Sequence, residues 1–278
     1  MPGEPTPQYL GASGRRIFSL YFNARLKSKS SVLLIPPFAE EMNKSRRMYS
    51  ELARNLSAGN QNVLLFDFYG TGDSEGLLKD AVWQDWIEDI QNCVSTLYNY
   101  GAEQISFLGL RTGALLASDY LSKCDDKIHK LLLWQPVIDG RIFLSQFMRL
   151  RLASSMMRDD ASRETAKDLK AQLSRGDSLE IAGYSITPAI ASSMEITTLK
   201  KLPPGVCDAL AWFDLVPDEQ RELPLVSRKL VEHWQEQGVN VTHQKIVGIP
   251  FWSSTEIIVN PELIEVSRRF FDHGGKDL

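Results

Sequence analysis

Residues 104–113, QISFLGLRTG, decide how the rest of the chain is read. Ile105 to Leu110 is an apolar run of strand length, and Ala114 to Ser122 continues as a helix. Gly109 and Gly113 bracket the transition, the frame of a G-x-S-x-G nucleophile elbow, in which a strained turn lifts one side chain above a sheet. The lifted residue here is Arg111. A guanidinium stays protonated, so it binds anions and does not attack carbonyls. The frame points to an enzyme fold, and its central residue argues against nucleophilic chemistry.

Outward from the elbow, strand and helix signals alternate. SVLLIP (31–36) and NVLLFDF (62–68) are short apolar runs, as expected for strands covered on both faces. Between them Tyr49, Leu52, Ala53 and Leu56 predict a helix over Lys44–Ala58, stopped by Gly59. Trp83, Trp86, Ile87, Ile90, Val94 and Leu97 predict a second over Ala81–Tyr100. IHKLLLWQP (128–136) is the strand after the elbow helix. Such repeated units give a doubly wound α/β core.

After Pro136 the rhythm breaks. Arg141–Met157, Ser162–Ser174 and Pro188–Met194 read as helices, with LEIAGYSIT (179–187) as an extended piece. A stretch of this length needs structure of its own, and we read it as a cap over the sheet. Arg149 and Arg151 lie among apolar residues there, a pattern read as a cap face packed on the core. The core resumes with CDALAWF (207–213), a helix at Ser227–Gln237 and a strand at Asn240–Gly248. Asn260 then caps a final helix with Pro261 at its first position.

The 278 residues, 43% of them hydrophobic, suffice for one large α/β core with an insertion. A net charge of −4 gives no electrostatic footprint for nucleic acid. Cys93, Cys124 and Cys207 are widely spaced and odd in number, which suggests reduced thiols. No apolar run reaches the length of a membrane span or resembles a secretory signal, so the expected location is cytoplasmic. Nothing calls for a cofactor, no metal constellation is visible, and the oligomeric state is open.

On these features the chain resembles the α/β-hydrolase superfamily over nearly its whole length. DFYGTGDSEG (67–76) is similar to that superfamily's D-x-x-G-x-G-x-S segment. PPFAEEMNKSRRM (36–48), GLRTGALLA (109–117), SLEIAGYSITPA (178–189) and PFWSSTEI (250–257) resemble the exosortase A system-associated hydrolase type 2 family. The resemblance implies an α/β-hydrolase fold: a mostly parallel central sheet with helices on both faces and a helical cap inserted after the strand that follows the elbow. Residues 1–137 and 203–278 would form the core and 138–202 the cap. It also implies a bacterial exosortase and exopolysaccharide context.

Tested against the triad of that superfamily, the nucleophile position holds Arg111. The acid position, just past Phe213, offers Asp214 or Asp218. The histidine position, just past Gly248, holds Ile249, Pro250, Phe251 and Trp252. His243 lies several residues too early and reads as a strand histidine paired with its neighbours. Ser74 is expected to fix its own turn.

By the same resemblance, the backbone N–H groups of Phe38 and Thr112 would form an anion-binding pair, with the Thr112 hydroxyl turned off the elbow. Glu40 or Glu41 is expected to pair with Arg111. That pair either lines a pocket, with Asn43 orienting it, or simply ties the elbow to its neighbouring loop. Trp134 and Phe251 complete the expected ligand-binding set. Two functions follow as expectations: an accessory protein binding a small acyl or anionic ligand under the cap, or an ester or thioester hydrolase or acyltransferase with a rewired site using Glu40 or Glu41 and Arg111, with Asp214 a further catalytic candidate.

Overall fold

The computed structural model describes residues 4–124, 127–156 and 164–273. Eight strands build the central sheet: β1 (Pro5–Leu10), β2 (Ile17–Phe22), β3 (Ser30–Ile35), β4 (Asn62–Phe66), β5 (Gln104–Leu110), β6 (Ile128–Trp134), β9 (Cys207–Val216) and β10 (Val241–Val247). Two more, β7 (Leu179–Ile181) and β8 (Tyr184–Ile186), pair by themselves. The sheet order is β1-β2-β4-β3-β5-β6-β9-β10, parallel from β4 to β10 and antiparallel at the β1 and β2 end. The chain has the α/β-hydrolase fold.

The antiparallel pair at the start escaped the sequence reading. Pro5 and Pro7 hide β1, because proline cannot donate to a ladder; the strand survives by lying at the sheet edge.

Successive residues of a strand point to opposite faces, and this splits the core in two. Leu33, Phe107, Leu133 and Trp212 pack toward α2 (Trp83–Asn99), α3 (Thr112–Lys123) and α7 (Leu225–Glu236). Leu34, Leu108, Leu132 and Phe213 pack toward α1 (Glu40–Ala58) and α8 (Pro261–His273). The α8 cap is as expected, with the Leu263 N–H donating to Asn260 Oδ1 at 3.0 Å. Helix α1 begins four residues earlier than its apolar stripe indicates. Ala39, at φ 57°, turns the chain directly from β3 into a first turn carrying Glu40 and Glu41, whose charges suit a helix N-terminus.

Between β6 and β9 the chain forms α4 (Gly140–Met156), α5 (Ala166–Ser174), the β7–β8 hairpin and α6 (Pro188–Ile196). The extended piece read at 179–187 is this hairpin, turned by Ala182 and Gly183, both at positive φ. The start of Ser162–Ser174 falls partly outside the described residues; helix α5 itself begins after Thr165, whose hydroxyl accepts the Asp168 N–H. Helix α4 approaches α6 so closely that a Cβ on Gly140 would lie 2.1 Å from the Met194 carbonyl oxygen. Phe143 and Phe147 of α4 pack on Phe38, at 6.5 and 5.5 Å between ring centroids, and so seat the insert over the end of β3.

Candidate functional site

The elbow has the geometry its glycines imply. Arg111 sits at φ 53° and ψ −117°, a strained conformation for a residue with a Cβ. A Cβ on Gly109 would lie 2.7 Å from Ala114 Cα, and one on Gly113 would lie 2.3 Å from the Ile35 carbonyl oxygen. Both positions therefore require glycine. The Arg111 peptide is held on both sides: its N–H donates to the Trp134 carbonyl at 3.1 Å, and its carbonyl accepts from Val137 at 3.1 Å.

At Phe38, not at the Thr112 hydroxyl, the structure departs from expectation. That hydroxyl points inward and accepts the Phe38 N–H at 2.7 Å. Thr112 is fully buried, and a buried hydroxyl must find a partner; here that partner is the donor expected to face an anion. The Phe38 N–H is thus already engaged.

Arg111 pairs with Glu41, Nε to Oε1 at 3.2 Å, and each side chain is 19% exposed. Its guanidinium also lies 5.5 Å from the centre of the Trp252 ring and donates a long bond to the Gln135 carbonyl at 3.4 Å. Only Oε1 of Glu41 is engaged; Oε2 is buried without a hydrogen-bond partner. Burial pushes the Glu41 carboxyl above its usual range, and the Arg111 cation opposes that rise.

Glu40 and Asn43 serve a different contact. Glu40 Oε2 accepts the Tyr184 hydroxyl at 2.9 Å, and Asn43 Nδ2 donates to the Tyr184 oxygen at 3.0 Å. Asn43 therefore orients the hairpin tyrosine and not the Arg111 pair. Burial, then the hydrogen bond to Glu40, pushes the Tyr184 phenol up to about 12. Lys44 donates to the Ser254 carbonyl, tying α1 to the loop after β10.

Trp134 and Phe251 lie in the core between the sheet and α8. The Trp134 indole donates to Ser267 Oγ at 3.0 Å, and the fully buried Phe251 packs against it at 6.1 Å. The aromatic residue that reaches the elbow is Trp252, one position along. Nothing in the PFW run distinguishes the two rings before the loop is folded.

Asp214 and His243 do meet, side by side on β9 and β10. His243 Nε2 lies 2.9 Å from Asp214 Oδ2, with the side chains 8% and 3% exposed. Asp214 also accepts from Ser227 Oγ at 2.7 Å and from the Trp212 indole at 2.9 Å. Ser227 opens α7 and Trp212 packs on Trp234 of the same helix, so the cluster sits beneath α7. Asp218 receives the Arg221 N–H in an exposed turn. Ser74 fixes its own loop, donating to the Asp67 carbonyl at 2.6 Å and accepting the Phe18 N–H at 2.8 Å.

Beside the elbow, a cleft of about 450 Å³ opens between the end of β3, the glycine loop after β4 and the β7–β8 hairpin. Phe38, Ala39, Met42 and Asn43 form one wall, Gly70–Gly72 and Leu77–Lys79 a second, and Gly183–Ser185 the third. Phe38 and Asn43 of the expected binding set line it. Thr112, Glu41 and Arg111 do not. The glycine loop is pressed tight: a Cβ on Gly70 would lie 2.7 Å from the Leu77 carbonyl oxygen, and one on Gly72 would lie 2.1 Å from Asp67 Oδ2.

The fold and the elbow together define an α/β-hydrolase-fold protein that carries arginine where the nucleophile stands. Residues 27–205 match the serine aminopeptidase S33 family, and the chain belongs to that family. Over 140 residues it is 31% identical to the Haemophilus influenzae protein named "Probable lysophospholipase L2", a match covering 46% of this chain and 42% of that protein. The chain thus aligns with less than half the length of that relative. Among solved structures it is similar to Est1E of Butyrivibrio proteoclasticus with ferulic acid bound, at 13% identity and TM-score 0.61, over 95% of this chain and 97% of that one. A Pyrococcus furiosus esterase is similar at 17% identity and TM-score 0.61, over 96% and 89%. These two likenesses show the fold.

Proposed function

We propose that this chain is a non-hydrolytic member of its family, with residues 138–202 acting as a cap over a core formed by 1–137 and 203–278. It binds a small acyl or anionic ligand in the cleft between them, in an accessory role. The observation that carries this reading is the bond from the Phe38 N–H to Thr112 Oγ1, directly beside Arg111. A serine hydrolase needs an attacking hydroxyl and free oxyanion donors. Here a cation holds the first place and a threonine hydroxyl occupies one of the expected donors.

The cleft volume falls in the ordinary range for small-ligand sites. Phe38, Met42, Leu77 and Leu78 offer apolar walls, and Asn43, Tyr184 and Lys79 offer polar contacts. The lysophospholipase name of the Haemophilus influenzae relative supports an acyl ligand. The resemblance to the exosortase-associated family supports an accessory role in an exosortase and exopolysaccharide context. The test is calorimetric titration with octanoate and octyl sulfate beside a panel of ester and thioester substrates. Binding without turnover is expected; turnover abolished by Glu41→Gln would overturn the reading.

One observation favours a second reading. Glu41 keeps Oε2 free of partners, and burial raises its carboxyl, so it could take a proton from water in an ester or thioester hydrolase or acyltransferase with a rewired site. The same panel separates the two.

A further inference from the structure

The glycine loop that walls the cleft is anchored by an acidic residue the function above does not use. Asp89 lies on α2 and has no solvent exposure. Its Oδ2 accepts the Tyr69 N–H at 2.8 Å, while Oδ1 is buried with no hydrogen-bond partner. The neighbouring Trp86 indole donates to the Tyr69 carbonyl at 3.1 Å, so α2 grips both backbone polar groups of the residue immediately before Gly70. Beyond Tyr69 the loop holds itself through the Gly70 N–H to the Glu75 carbonyl at 2.9 Å and the Thr71 N–H to the Phe68 carbonyl at 2.9 Å.

Among the described residues, Arg15 is the cation that faces this carboxyl. Arg15, from the turn between β1 and β2, bonds Asp85, lies 3.5 Å from Glu88 and only 3.8 Å from Asp89 Oδ1, with its guanidinium over the Tyr69 ring at 5.1 Å. A single guanidinium is therefore shared among three carboxylates. The buried Cys93 thiol is a further titratable neighbour, its ionisation disfavoured first by burial and then by Asp89. An ionised Asp89 is left buried, half unpaired and beside two like charges. Hydration would relieve it, and the Tyr69–Glu75 loop, bonded to Oδ2 through the Tyr69 N–H, is one of the elements that cover the carboxyl.

We propose that Asp89 is a proton-dependent latch on the loop that walls the cleft, holding it when neutral and loosening it when ionised. The bearing on ligand access rests on the function proposed above; the latch itself does not. Burial raises the Asp89 carboxyl to about 7, opposed by the Tyr69 N–H and by Arg15. The closed loop therefore favours the proton, and an open, hydrated carboxyl returns toward its ordinary value. Loop opening grows as pH rises toward 7 and levels off above it, about tenfold per pH unit.

The test is hydrogen exchange of the 69–76 segment on the full chain, corrected for intrinsic rates. Protection should fall by about a hundredfold from pH 5 to pH 8. Asp89→Asn keeps a side-chain oxygen for the Tyr69 N–H but cannot titrate, so its protection should be flat across this range. Should that variant not fold, Arg15→Gln serves instead: removing the nearby cation should move the levelling point to higher pH. Protection that is constant or rises with pH in the natural chain overturns the latch, as does unchanged pH dependence in Asp89→Asn. Adding octyl sulfate should slow exchange in the same segment at both pH values. If exchange follows pH but ignores octyl sulfate, the latch stands and the cleft reading fails.

Discussion

Thr112 Oγ1 accepts the backbone N–H of Phe38 at 2.7 Å, joining the elbow to the loop after β3 from within the protein. The bond ties two tight turns, each with a non-glycine residue at positive φ, Ala39 and Arg111.

Thr112→Val should therefore destabilise the chain by about 1–3 kcal/mol, the cost of leaving a buried donor unsatisfied. Thr112→Ser should recover most of the loss. Urea denaturation of both variants checks this, and equal stability of Val and natural chains would refute it.

Arg111→Ser restores the sequence of a serine elbow but should not produce an esterase. The segment just past β10, where a base would stand, holds Ile249, Pro250, Phe251 and Trp252, and His243 is bound to Asp214 beneath α7. Assay on p-nitrophenyl esters should give no rate above the uncatalysed one.

Breaking the cluster under α7 should be costly. Asp214→Ala strips three partners at once, His243, Ser227 and the Trp212 indole. A loss of about 3–5 kcal/mol is expected for removing one member of a buried pair. Thermal unfolding measures it, and ligand binding by the folded fraction should be unaffected.

Asp89→Asn should stabilise the fold at neutral pH and leave it unchanged in acid. The native carboxyl is raised from 3.8 to about 7, so folding favours the protonated form. The natural chain then loses stability relative to the variant as pH rises from about 4 to 7, by on the order of 1.4 kcal/mol per pKa unit, and the difference is constant above. Urea denaturation at pH 4.5 and pH 8 checks the sign; a larger difference in acid would contradict it.

Tyr184→Phe removes the donor to Glu40 and an oxygen that Asn43 holds. The contact is partly exposed, so about 1 kcal/mol is expected, seen as faster hydrogen exchange in β7 and β8. Octanoate affinity should fall several-fold, because the hairpin forms one wall of the cleft.

Local patterns carried most of the fold. The elbow glycines, the paired apolar strands and the Asn260 cap are short-range signals, and each governs a short-range geometry. The pairing of Arg111 with a glutamate of the 40–41 pair was also readable, because the loop after β3 and the elbow end on neighbouring strands. Which glutamate was not: Glu40 and Glu41 differ by about 100° around α1, and only the placed hairpin draws Glu40 to Tyr184. Trp134, Phe251 and Trp252 likewise exchanged places, since strand parity and loop path decide which ring faces the core.

The sequence by itself determined that this chain builds a hydrolase-type sheet with a strained elbow, and that the elbow bears a cation, since both depend on residue types at fixed short spacing. Tertiary structure alone decided that Thr112 turns inward onto Phe38, that Asp214 and His243 meet away from the elbow, and that the cleft lies to one side of Arg111. Those outcomes depend on where buried polar groups find partners across the packed chain, and no local pattern encodes that distance.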